Sequence, residues 1–230
     1  MRTRRRLMIG LAFLIGAIGT ACAQDAKPAF PVMAPIEQYR EASASAEIAL
    51  AQTAAPRSIS GDASVLVLGS QGYETAVKGK NGFVCLVWRS WAAVFDDPDF
   101  WNTKFRAPIC FSPAAARTVL PAYLDRTKWV LAGASKAEIQ DRTRAAFASN
   151  RTATPEPGAI AFMMSREGDN GAGHHFPPHV MMFYAHSDWA PDPPGSPIFA
   201  EPADYLEPIT IFNVQVPMYS DGTPRTMGTH

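Results

Sequence analysis

Two apolar runs separated by turn residues constrain the fold of this chain more than any other feature of its sequence. Residues 65–68 read Val-Leu-Val-Leu, an uninterrupted run typical of a strand that is covered on both faces. Strand-forming residues recur at every second position of 73–77, and a second apolar run occupies 83–88. The Asn-Gly pair at 81–82 favours a tight reversal because it supplies positive φ angles. The pattern predicts a three-stranded antiparallel meander around 64–88.

Helices are predicted on both sides of this region. Apolar residues recur at helical spacing from Ile36 to Leu50, and Pro56 ends the segment. Ser112 precedes a proline, a combination typical of a helix start. Ser135 opens a Ser-Lys-Ala-Glu capping box, which predicts another helix.

The remaining strands are predicted at 159–164, 178–184 and 209–216. Together the elements indicate an α+β fold, with a mostly antiparallel sheet and helices packed on one face. We expect one domain over 35–217, preceded by an extended leader, 24–34, and followed by a loose C-terminal tail, 218–230.

The chain begins with a pattern typical of an export signal. Four arginines lie within the first six residues, and the uncharged run 7–21 leads to the small residues Ala21-Cys22-Ala23. That run is shorter than the roughly 20 apolar residues of a membrane span. We expect cleavage of residues 1–23 and a periplasmic mature chain without a transmembrane span. Two alternatives stay open: residues 3–8 resemble a twin-arginine signal, and Cys22 lies in a lipoprotein-like box that would anchor the protein by lipid.

The charge balance argues against nucleic acid as a partner. The chain has 21 basic and 21 acidic residues, and the signal holds four arginines and no acid. The mature chain would therefore carry 17 basic and 21 acidic residues, a net charge of −4. Nucleic-acid binding depends on Lys and Arg that neutralise phosphates, and the chain has no basic run beyond the signal.

Two cysteines, Cys85 and Cys110, remain beyond the signal. In an oxidising compartment such a pair typically forms a disulfide, and the alternative is a free thiol or a redox role. A disulfide that closes a loop of this length would stabilise the fold by about 3 kcal/mol in the chain-entropy model.

Three of the five histidines fall in residues 173–179, Gly-His-His-Phe-Pro-Pro-His, which we call the histidine loop. Its two prolines forbid a helix, so the imidazoles are expected to project from an extended loop at the start of a strand. Neutral imidazole offers a lone pair to a divalent transition metal such as zinc. The candidate metal ligands are His174, His175 and His179. The candidate supporting residues are Asp169, His186 and Asp188.

Other interpretations of the histidine loop remain open. It lacks the glutamate and the helix of a zincin motif, and its rings could simply bond loop carbonyls. A histidine could also act as a general acid or base, although no nucleophile lies beside it in sequence. The chain has no nucleophile elbow, P-loop, dinucleotide fingerprint or Cys-x-x-Cys pair. The absence of these motifs removes the most easily recognised enzyme classes and leaves both an enzyme and a binding protein as alternatives.

Residues 88–105, the aromatic connection, hold a high density of rings. These rings could line a groove for a small-molecule ligand, which would favour a non-catalytic binding or interaction protein of the cell envelope. The alternative is a satellite core beneath a long loop.

Several stretches support a resemblance that covers most of the chain beyond Pro35. They are Ser60-Gly61-Asp62-Ala63, residues 72–85 from Gly72 to Cys85, Pro108-Ile109-Cys110-Phe111, residues 155–159, the pairs Gly173-His174 and Pro178-His179, and Ser220-Asp221-Gly222-Thr223. In these stretches the chain resembles a family of uncharacterised, predicted exported bacterial proteins. The resemblance implies export and a single domain. It implies no catalytic residue, because no activity is established for that family.

Overall fold

The computed structural model describes residues 30–185, 198–200 and 209–225. The strands in these ranges are β1 (Ser64–Leu68), β2 (Tyr73–Val77), β3 (Val84–Trp88), β4 (Ala107–Phe111), β5 (Ile160–Met163), β6 (His179–Ala185), β7 (Ile198–Ala200) and β8 (Ile209–Gln215). The α-helices are α1 (Ala44–Gln52), α2 (Arg57–Ser60), α3 (Pro113–Thr118), α4 (Leu120–Leu131) and α5 (Lys136–Ala148). The predicted signal, its cleavage site, Cys22 and residues 24–29 lie outside the described residues.

The strands form one sheet in the order β2-β1-β3-β4-β5-β6-β8-β7. Every neighbouring pair is antiparallel except β1 and β3. The long hydrogen-bonded pairing of β6 with β8 places His179 opposite Gln215 at one end and Ala185 opposite Ile209 at the other. The mostly antiparallel sheet and its helices confirm the predicted α+β class.

The predicted meander around 64–88 is wrong in its order. β1 pairs antiparallel with β2 but parallel with β3, so β2 is an edge strand and does not pair with β3. Residues 78–83 carry the chain back past the start of β1 instead of closing a hairpin. The backbone N–H groups of Lys80 and Asn81 donate to the Asp62 carbonyl, and the Asn81 side chain donates to the Ile59 carbonyl at 2.7 Å. These bonds hold the turn residues against the segment before β1. The chain therefore crosses past β1, and β3 pairs on the other side of β1 from β2.

The helices lie on both faces of the sheet, which corrects the prediction of one covered face. Successive strand residues point to opposite faces. Cys85 and Val87 of β3 pack with α1 residues such as Ala51, whereas Leu86 belongs to the larger core that includes Tyr123 of α4. The candidate site lies on the same face of the sheet as α3 and α4.

Serine caps fix the helix starts. Ser43 Oγ accepts a hydrogen bond from the Ala46 N–H at 3.1 Å, so α1 begins there rather than at Ile36 as the spacing had indicated. The segment 36–39 is a separate 3-10 helix. Ser112 caps α3, and Ser135 forms the predicted capping box of α5. None of the helices in the described part of the chain has the length and apolar character to cross a membrane.

The predicted disulfide is present between Cys85 and Cys110, which are direct partners on β3 and β4. Both cysteines are fully buried on the α1 face of the sheet. The link therefore joins adjacent central strands inside the core, beyond the reach of solvent in the native fold.

The C-terminal segment is folded as far as residue 225, so the prediction of a loose tail is wrong for 218–225. Ser220 donates from its backbone N–H to the Met164 carbonyl at 2.9 Å and from its hydroxyl to the Thr53 carbonyl at 2.5 Å. Tyr219 and Thr223 close a turn between them. These bonds attach the segment after β8 to α1 and to the loop after β5. Residues 226–230 lie outside the described residues.

Candidate functional site

His179 is the first residue of β6 and directly follows the segment Pro177-Pro178. Its ring Nδ1 lies 2.7 Å from the carbonyl oxygen of Pro177. Because a carbonyl oxygen only accepts hydrogen bonds, Nδ1 carries the hydrogen, and in the neutral ring the lone pair is on Nε2. Burial lowers the pKa of His179 below its ordinary value, although the bond to Pro177 acts in the opposite direction. The ring is therefore neutral near pH 7, with Nε2 as a hydrogen-bond acceptor.

The other two histidines of the loop are not brought to the same point. His175 is exposed, and its Nδ1 lies 3.1 Å from the Gly168 carbonyl oxygen. His174 is exposed as well. The Asp169 carboxylate accepts hydrogen bonds from the backbone N–H groups of Gly171, at 2.7 Å, and Gly173, at 3.0 Å. Asp169 thus stabilises the turn before the histidines, a structural role typical of aspartate in turns.

Metal binding by this loop stays a prediction. Within the described ranges, no three side chains of His, Cys, Asp or Glu are grouped as a metal site requires. His186 and Asp188, which were candidate supporting residues, lie outside those ranges. A transition-metal site usually needs three or four protein ligands. The described residues offer one well-placed imidazole, that of His179, and its Nε2 is the atom a metal would need.

Most rings of the aromatic connection belong to the core, as the packing interpretation predicted. Trp91 is fully buried, and Phe95, Phe100 and Trp101 are buried in the same cluster. Phe100 packs edge-on against Trp101 with centroids 4.7 Å apart. Among the described rings of the connection, those of Trp88 and Phe105 at its two ends line a cavity, together with Ala92 and Ala93.

That cavity, of about 260 Å³, lies where the ends of the aromatic connection meet the histidine loop, and we call it the His179 pocket. It occupies the face of β5, β6 and β8 and brings together two regions that are distant in sequence. No side chain among the described lining residues carries a permanent charge. These residues are Trp88, Ala92, Ala93, Phe105, Met163, Phe176, Pro177, His179, Met181, Asn213 and Gln215.

The polar side of the pocket comes from β6 and β8. His179 lies opposite Gln215, and Met181 lies opposite Asn213. Gln215 Oε1 accepts a hydrogen bond from Arg225 Nη1, so the amide NH₂ of Gln215 is the group left as a donor. Sequence reasoning missed Asn213 and Gln215. The available signal was a polar residue at every second position near the end of an apolar strand, which puts both on one face.

One further feature of the pocket is a buried donor without a partner. The indole Nε1–H of Trp88 is buried and has no hydrogen-bond acceptor in the described part of the chain. Leaving a buried N–H unpaired costs about 1–3 kcal/mol.

A second polar cluster, the Arg89 network, lies just beyond the end of β3, beside the last residue of β1. Arg89 is fully buried, and its Nη2 donates to Glu47 Oε1 at 2.9 Å while its Nε donates to the Tyr39 carbonyl at 2.5 Å. Glu47 Oε1 also accepts from the Leu68 N–H at 3.1 Å. The hydroxyl of Tyr123 accepts from the Arg89 N–H at 3.0 Å, and burial raises the pKa of this phenol. The arginine is thus committed to internal partners and is not available to an external anion.

The fold and pocket define an α+β protein with one histidine in an uncharged, mostly apolar cavity, to the extent that the chain is described. Comparisons of the chain with protein-family models, with curated proteins and with solved structures give no match. The function is therefore inferred from the residues of the pocket.

Proposed function

We propose that the chain is an exported binding protein whose His179 pocket holds a small, uncharged and largely apolar molecule. The observation that carries the proposal is the lining: three rings and two methionines face three neutral polar side chains, without a permanent charge among the described lining residues. Small-molecule sites typically combine an apolar wall with a few fixed polar groups. At about 260 Å³, the cavity is slightly below the range of about 300–1,000 Å³ usual for drug-sized ligands, which favours a small one.

Export is supported by the sequence signal and by the buried Cys85–Cys110 disulfide. Disulfides persist in oxidising compartments such as the periplasm and are rare in the cytosol. A non-catalytic role is supported by the setting of His179, because none of the other described lining residues is a Ser, Cys, Thr, Lys, Asp or Glu that could serve as a nucleophile or a second acid–base group. The metal hypothesis remains as a second prediction that depends on His186 and Asp188.

Naphthalene is a suitable probe for the proposal, since it is apolar, uncharged and small. We expect saturable one-to-one binding that changes the tryptophan fluorescence, because Trp88 lines the pocket. Naphthalene-2-sulfonate should bind at least about tenfold more weakly, because its charge would lose water without gaining a charged partner.

Two alanine variants provide the matched control. Ala93→Phe places a ring in the pocket and should abolish naphthalene binding, whereas Ala137→Phe, at an exposed position of α5, should leave it unchanged. Thermal unfolding of both variants verifies that they fold. Absence of saturable binding to the natural chain, or equal binding by both variants, would rule out the proposed site.

A further inference from the structure

On the polar side of the His179 pocket, a hydrogen-bond acceptor and a donor lie next to each other. His179 Nε2 is the acceptor, because Nδ1 is committed to the Pro177 carbonyl. The NH₂ group of Gln215 is the donor, because its Oε1 is committed to Arg225. The two residues are direct partners on β6 and β8, and such partners have Cβ atoms about 5 Å apart. A single polar atom of a ligand can therefore meet both groups.

A hydroxyl is the neutral group that matches this pair. It donates one hydrogen bond and accepts others through its oxygen. An ether or a ketone only accepts and would leave Nε2 without a donor. An ammonium group only donates, and it would bring a charge into a pocket where the described lining residues offer no carboxylate.

The apolar walls indicate the body to which this hydroxyl is attached. Trp88, Phe105 and Phe176 line the pocket with rings, and the rings of Phe105 and Phe176 are in edge contact with centroids 5.4 Å apart. Met163 and Met181 complete the wall along β5 and β6. Aromatic rings and methionine sulfur both make favourable contacts with an aromatic ligand.

We propose that the ligand is a neutral aromatic hydroxyl compound of phenol or naphthol type, whose O–H donates to His179 Nε2 and whose oxygen accepts from the Gln215 amide. This inference rests on the proposed function of the pocket and specifies the chemistry of its ligand.

Because the acceptor is a histidine nitrogen, the preference for a hydroxyl should depend on pH. Protonation of His179 turns Nε2 into a donor, so the acceptor for the ligand hydroxyl is lost at acid pH. Neither β5 nor β8 carries an ionisable side chain. On the preceding loop, Arg166 lies 3.9 Å from Asp221, and the Asp169 carboxylate is bound to backbone N–H groups. The same loop carries Glu167, His174 and His175, and the Arg225 guanidinium holds Gln215.

The test compares 2-naphthol with 2-methoxynaphthalene, which has the same ring system but cannot donate a hydrogen bond. We expect 2-naphthol to bind the natural chain about tenfold more tightly at pH 7.5, the size expected when an otherwise unmet hydrogen bond is formed. The preference should disappear as the pH falls below the pKa of His179. His179→Leu should remove the preference at pH 7.5, and His174→Leu, at an exposed position outside the pocket, should retain it.

The outcomes separate the inference from the proposed function. If both probes bind the natural chain equally at pH 7.5, the inference is overturned and the apolar pocket stands. If neither probe binds, both proposals fail. This comparison of two probes on the natural chain needs no variant, so a folding defect of His179→Leu would not affect it. A preference that persists in a folded His179→Leu variant would show that another group recognises the hydroxyl.

Discussion

The two polar clusters of the sheet differ in how completely they are satisfied. In the Arg89 network, the guanidinium, the Glu47 carboxylate and the Tyr123 hydroxyl are all bound to groups of the protein itself. In the His179 pocket, Nδ1 is bound but Nε2 is not, and Trp88 Nε1 has no acceptor among the described residues. The first cluster joins α1 and the segment 36–39 to the ends of β1 and β3, while the second leaves hydrogen-bonding capacity next to a cavity. Buried polar groups contribute to structure when they are paired and are available for function when they are not.

Breaking the Arg89 network should have the largest effect on stability. In Glu47→Ala, Arg89 would remain buried without its carboxylate, and the Leu68 N–H would lose its acceptor. We expect the free energy of unfolding to fall by about 3–5 kcal/mol, as is typical when one partner of a buried ion pair is removed. Urea denaturation of the variant and the natural chain measures the difference.

The matched control is Glu156→Ala, which removes an exposed carboxylate that pairs with Arg117 at 2.7 Å. We expect no measurable change, because solvent screens such pairs. If Glu47→Ala were as stable as this control, the interpretation of the Arg89 network as a structural element would be wrong.

Removing the disulfide, which lies on the α1 face of the sheet, should have a smaller effect on stability. Replacing both Cys85 and Cys110 by alanine removes a link between residues separated by 25 positions, and we expect a loss of about 3 kcal/mol. The His179 pocket lies on the other side of the sheet, so naphthalene binding by the folded variant should be unchanged. A loss of binding in the folded variant would show that the two faces are coupled and would weaken the contrast between them.

Local sequence patterns predicted the parts of the fold that depend on near neighbours. The apolar runs predicted the positions of β1 and β3, and the serine caps predicted the starts of α3 and α5. The cysteine pair predicted the disulfide. The strand order was not predictable in the same way. It depends on bonds such as that from Asn81 to Ile59, which connect residues 22 positions apart and turn a hairpin-like sequence into a crossover.

The candidate site likewise combines features that the sequence predicts with contacts that only the folded chain creates. His179 and the aromatic connection were both recognised as sequence features, but separately, because their meeting depends on the pairing of β5, β6 and β8. Gln215 became part of the site only through its register opposite His179. A shift of one residue in that register would turn Gln215 to the other face of the sheet, where it could not line the pocket.

The smallest predicted effect, and the sharpest contrast with the Arg89 network, concerns the titration of His179. Its pKa in the folded chain should lie below the ordinary value of 6.5, because burial disfavours the charged ring. Between the lowered pKa and 6.5, the unfolded chain binds more protons at this residue than the folded chain does. The contribution of His179 to stability should therefore rise with pH through this window, be fully present above 6.5 and be lost as the pH falls towards the lowered pKa.

Nitrogen NMR of the imidazole measures this pKa and identifies the protonated nitrogen in the neutral ring. We expect the hydrogen on Nδ1, bound to Pro177, and the lone pair on Nε2. A neutral ring with the hydrogen on Nε2, or a pKa above 6.5, would contradict the assignment of Nε2 as an acceptor. The pH dependence of stability in His179→Leu, compared with His174→Leu, isolates the same contribution by equilibrium unfolding. Agreement between the two measurements would show that Nε2 of His179 is the hydrogen-bond acceptor that a ligand hydroxyl needs.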